Sequence, residues 1–83
     1  MKLLYFDWVR EKIGVAEENL SVPEAAASVA DLMVWLRTRS SGHAAAFADP
    51  SLVRCAIDQE FAKPEASITG AAEAAFFPPV TGG

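Results

Sequence analysis

The chain has 83 residues, 52% of them hydrophobic, and seven Lys and Arg stand against 11 Asp and Glu for a net charge of −4 at pH 7. That length holds one domain with a small core, and the composition is too apolar for a disordered chain. An acidic balance with no Lys/Arg cluster excludes a surface for nucleic acid, and no apolar run is long enough to cross a membrane.

Sixteen of the apolar residues are alanine, so the core must rest on Leu, Val, Ile, Met and the aromatics. A single Cys (Cys55) and a single His (His43) exclude an internal disulfide, a Cys-based zinc site and a multi-His centre, and no metal site is expected. The stretch Met1–Phe6 is too short for a signal-peptide core and Asp7 interrupts it, so a cytoplasmic location is expected.

In chain order, Lys2–Phe6 reads as a central strand with both faces apolar: Leu3 and Tyr5 on one, Leu4 and Phe6 on the other. Asp7 is the expected N-cap of a short helix through Ile13, stopped by Gly14. Glu17–Val22 reads as a strand returning antiparallel to the first and ending at Pro23. Ser28–Arg39 is the clearest helix. Ser28 caps it, Asp31 gives a variant capping box, Val29, Leu32, Met33 and Leu36 form one apolar stripe, and Arg37 and Arg39 suit its C-terminal dipole. Short helical turns are expected at 43–47 and after Asp49-Pro50. Val53–Asp58 alternates as a strand, Gln59-Glu60 turns the chain into Phe61–Lys63, and Pro64–Ala72 is a loop with one extended piece near Ile68. Glu73–Phe77 is the last strand.

A helix crossing between two strand pairs, with a right-handed connection, places the first and last strands side by side and parallel. The expected class is α+β: a β-grasp, ubiquitin-like mixed sheet with one main helix on one face and short extra helical turns. Residues 1–77 form the domain and residues 78–83 a projecting tail.

The tail carries the chemistry. Pro78 and Pro79 favour an extended, stiff segment. Val80 and Thr81 lead to Gly82 and Gly83, which have no Cβ to obstruct a narrow channel, and the functional group at the tip is the Gly83 carboxylate. By alternation only one of Phe76 and Phe77 enters the core. The other faces outward beside the tail as a partner-binding residue, and Phe76 is taken as that one. Trp8 and Trp35 are read as partly packed on the core, Cys55 as an inert core thiol, His43 as solvated, and Glu17 and Glu18 as a solvated hairpin edge. No side-chain acid/base pair is apparent.

The stretch Ala75-Phe76-Phe77-Pro78-Pro79-Val80-Thr81-Gly82-Gly83 resembles the end of the small, sulfur-carrying subunits of molybdopterin synthase. Leu4-Tyr5-Phe6, the 29–36 helix and Ile57-Asp58-Gln59-Glu60 support the resemblance. One stretch departs: that family has an Asp-Gly-Asp-Glu turn before the last strand, and Gly70-Ala71-Ala72-Glu73 stands here. The resemblance implies a non-catalytic sulfur-donor subunit of molybdenum cofactor biosynthesis with no permanently bound cofactor. An adenylating, sulfurylating partner enzyme would use ATP to activate Gly83 and convert it to a thiocarboxylate. The tail would then deliver sulfur to a pterin precursor inside the large synthase subunit. Two alternatives share the fold and the Gly-Gly end: a sulfur carrier for thiamine thiazole or another thiocarboxylate pathway, and a ubiquitin-like protein modifier.

Overall fold

The computed structural model describes residues 1–79. Its elements are β1 (Lys2–Tyr5), α1 (Asp7–Ile13), β2 (Glu17–Asn19), α2 (Val29–Leu36), α3 (Ser41–Ala46), a 3-10 turn (Pro50–Leu52), β3 (Arg54–Ile57), β4 (Glu60–Ala62) and β5 (Glu73–Phe77). The described strands form one mixed sheet in the order β2-β1-β5-β3-β4. β1 and β5 are parallel at its centre, and every other pairing is antiparallel. This is the β-grasp topology expected from the order of elements.

The α2 stripe lies on one face of the sheet. Val29, Leu32, Met33 and Leu36 are all buried, and they share the core with Leu3, Tyr5, Cys55, Ala74, Phe76 and Phe47. Phe76 is held between two rings, edge-on to Phe47 at 5.0 Å and stacked with Tyr5 at 6.4 Å. Trp8 and Trp35 pack partly against this core. β1 is central, but its second face is not buried as expected. Leu4 is half-buried and Phe6 is 47% exposed, because Phe6 has left the strand to become the N-cap position of α1.

The ends of the helices show how local chemistry sets them. Ser28 Oγ accepts from the Asp31 amide at 3.1 Å, and Asp31 Oδ2 accepts from the Ala27 amide at 3.2 Å, one residue earlier than an ordinary capping box. The helix ends at Leu36, short of Arg39. There the amides of Thr38 and Arg39 bond three residues back, a tightening common at helix ends. Asp7 does not cap α1. It adopts φ +51°, a left-handed conformation that Asp tolerates, and no side chain caps that helix. Gly14 stops α1 at φ +97°, a conformation that suits glycine. Gly42 is required for space: a Cβ there would sit 2.4 Å from the Lys12 carbonyl oxygen, so α1 and α3 approach backbone to backbone.

Truncating Leu36, fully buried on the α2 stripe, should lower the stability of Leu36→Ala by about 2–5 kcal/mol in a denaturant titration. A change below roughly 0.5 kcal/mol, the range of surface substitutions, would contradict this packing.

Candidate functional site

β5 leads directly into Pro78 and Pro79, both half-buried. The expected reactive and access residues Val80, Thr81, Gly82 and Gly83 lie outside the described residues. The root of the tail can therefore be built from Phe77 backwards. In the parallel register Phe76 lies opposite Tyr5, and on its other side opposite Cys55. Both neighbours face the core, so Phe76 does too, and it is fully buried. The expectation that Phe76 faces outward is corrected, and the outward ring is Phe77, opposite exposed Arg54.

Phe77 does not stand alone. Phe61 meets it edge to face at 5.8 Å and is 87% exposed. Leu4, Ala75, Ala56 and Phe61 form one cross-strand row on the outer face of the sheet. The small Ala56 separates the strands of the two rings without keeping the rings apart. Sequence reasoning missed Phe61, although the signal was present. Val53 and Cys55 point inward, so Ala56 points outward. A two-residue turn at Asp58-Gln59, both in left-handed conformations, sets Phe61 opposite Ala56. An apolar, aromatic patch beside the root of a tail is a surface suited to docking.

A second group of residues differs from expectation. Glu18 lies opposite Leu3 across β1 and β2, and so shares its core-side face. Its carboxylate accepts from the Tyr5 hydroxyl at 2.7 Å and from His43 Nε2 at 2.6 Å. On its other side the His43 ring places Nδ1 2.7 Å from the Ser40 hydroxyl oxygen, within hydrogen-bond distance. Ser40 also caps α3 by accepting from the His43 amide. His43 is buried rather than solvated, and Glu18 is a connector between β1, β2 and α3 rather than a free edge. Glu17, in contrast, is exposed, with only a 3.7 Å surface pair to Lys2.

Burial disfavours ionisation of Glu18. The hydrogen bonds from Tyr5 and His43, with the charges of His43 and Arg39, outweigh it and hold its carboxyl below the usual range. Burial, and then the bond to Glu18, pushes the Tyr5 phenol well above its ordinary value. The cluster is thus a satisfied structural network. Burial also pushes the Cys55 thiol up to about 12, which leaves it protonated and poorly nucleophilic. Among the described residues no three His, Cys, Asp or Glu side chains gather in a way that could hold a metal ion. Nor is any described helix long and apolar enough to cross a membrane.

The turn that departs from the resembled family is held from outside. Asp58 Oδ1 accepts from the amides of Ala72 and Glu73, each at 3.0 Å. A carboxylate from the β3–β4 turn thus fixes the entry to β5 where the turn itself has none before Glu73.

The ThiS family model matches residues 3–83 of the chain. Among solved structures, a chain from Pyrococcus furiosus assigned as molybdopterin converting factor subunit 1 is 26% identical. It superposes with a TM-score of 0.75 over 95% of each chain. SAMP1 from Haloferax volcanii is 23% identical, with a TM-score of 0.70 over 100% of this chain and 98% of its own, and shares the fold. No curated protein matches.

Because the folded-state value of Glu18 is lowered, its contribution to stability is present above the ordinary carboxylate range and is lost as pH falls through the lowered value. Melting temperatures measured from neutral to acid pH should fall less steeply for Glu18→Gln than for the wild type. Parallel curves would contradict a stabilising role for the Glu18 charge.

Proposed function

We infer that this chain, which belongs to the ThiS family of ubiquitin-like sulfur carriers, is the small, sulfur-donating subunit of a molybdopterin synthase. Its reactive group is the carboxylate of Gly83. An adenylating partner would join that carboxylate to AMP with release of pyrophosphate from ATP. A sulfur nucleophile supplied by that partner's system would displace AMP and leave a thiocarboxylate. The thiocarboxylate sulfur is a good nucleophile, and inside the large synthase subunit it would attack the pterin precursor.

The observation that carries this reading is the root of the tail. The central strand β5 runs without a break into Pro78-Pro79, and Phe77 and Phe61 form an outward aromatic pair beside it. The patch would register a partner so that the tip of the chain enters its active site. The name of the Pyrococcus furiosus relative and the Phe-Phe-Pro-Pro-Val-Thr-Gly-Gly ending favour the molybdopterin pathway over the thiazole one.

Deletion of Gly83 should abolish sulfur transfer to the pterin precursor and leave the melting curve unchanged. Molybdopterin formation at the wild-type rate by the truncated protein would overturn the carrier reading.

The two phenylalanines should separate. Phe76→Ala should cost about 3–5 kcal/mol of stability. Phe77→Ala should mainly weaken binding to the large synthase subunit, by about 2 kcal/mol or more if the ring is an anchor. Normal binding by folded Phe77→Ala would remove the docking role.

A further inference from the structure

β4 is only three residues long, and it stops at Ala62 because the chain turns away at Lys63-Pro64 to bond with the start of α2. There the amide of Ala30 donates to the Pro64 carbonyl at 2.8 Å. β3 therefore loses its outer neighbour at Val53 and Arg54, and a notch opens between the sheet edge and α2. The notch is a groove of about 880 Å3. Its lining includes buried Met33 and Cys55, exposed Val34 and Phe61, and Phe77. Val34 is 60% exposed although it is apolar.

The charged residues that line this groove are opposite in sign to the net charge of the chain. Its lining includes two of the chain's seven cations, Arg54 and Lys63, and no carboxylate. Neither cation forms an ion pair among the described residues. Arg54 is held in place by donating from Nη1 to the Ser51 carbonyl at 3.1 Å, with its other donors unused among the described residues.

We propose that this groove is a second docking site, for a peptide segment of a partner protein that carries a large apolar side chain flanked by carboxylates. The apolar side chain would lie between Val34 and the Phe61–Phe77 pair, and the flanking carboxylates would meet Arg54 and Lys63. In a chain of net charge −4, two unpaired cations at an apolar cleft select an acidic segment over a basic one. Phe77 belongs both to the groove and to the root of the tail, so a protein that receives the tail lies over the groove as well. That identification of the partner rests on the function proposed above; the chemistry of the groove does not.

The test has two parts on the full chain. First, 15N-labelled protein is titrated with a synthetic acetyl-Asp-Leu-Phe-Asp-amide peptide, and with the same peptide carrying Lys for both Asp. The acidic peptide should shift the amides of Ala30, Val34, Arg54 and Lys63 and bind several-fold more tightly than the basic one. Lys63→Glu should remove that preference. Equal binding of the two peptides, or shifts elsewhere, would overturn the proposal.

Second, Val34→Asp and Lys63→Glu, both at exposed positions, are measured for binding to the large synthase subunit with melting temperature as a control. A loss of roughly tenfold for Val34→Asp at unchanged stability is expected for a residue in a buried contact. Wild-type affinity in both variants would overturn the groove as a docking site while leaving the tail chemistry intact. Sedimentation showing that Val34→Asp only dissociates a homodimer would assign the groove to a second copy instead, and would also overturn it. Continued sulfur transfer without Gly83 would remove the carrier reading, and the peptide titration would still judge the groove.

Discussion

The parallel pairing of β1 with β5 is the constraint on which the other features depend. It sets Leu3 beside Ala74 and Tyr5 beside Phe76, which brings the large apolar residues from both ends of the chain under α2. Parallel neighbours need a crossover, so everything between them, α2 included, is the connection. The same register decides the exterior. With Phe76 committed to the core, Phe77 must face outward at the point where the tail begins. A one-residue slip would exchange the two rings and turn the aromatic surface inward.

Helical cover on one face explains the contrast between the two sides of the sheet. The α2 face is closed around Phe47, Leu32 and Leu36. The other presents Leu4, Ala75, Ala56, Phe61 and Phe77 in adjoining positions. The hydrogen-bonded cluster of Tyr5, Glu18, His43 and Ser40 ties the β1–β2 hairpin to α3 at the far edge of the sheet from β3 and β4. Cys55, the single thiol of the chain, is buried and protonated and so serves the core.

Much of the fold was legible because its signals were local or periodic. The α2 stripe, the Ser28 cap, the Gly14 stop and the alternation of β3 each depend on neighbours within a few residues. The order of elements then led to the parallel centre. What escaped the sequence needed partners distant in the chain. Glu18 looked like a solvated edge because nothing near it announces His43, 25 residues away. The facing of Phe76 was misjudged although Glu73 shares the parity of Phe77, and a charge at the start of a strand marks the outward side. Phe6 was placed in a buried strand because both parities of β1 are apolar, whereas the second face is a surface. The Phe-Phe-Pro-Pro-Val-Thr-Gly-Gly ending is read from residue identity rather than packing, and its last four residues lie outside the described residues.

The central claim concerns one atom of the Gly83 carboxylate. The most direct measurement is the intact mass of the protein purified from its native host, with fragmentation of its C-terminal peptide. A fraction of the chains should be heavier by the difference between sulfur and oxygen, with the added mass on Gly83, and that fraction should disappear when the adenylating partner is removed. Chains that carry oxygen only, or that are recovered with Gly83 in isopeptide linkage to lysines of other proteins, would contradict a sulfur carrier for molybdopterin.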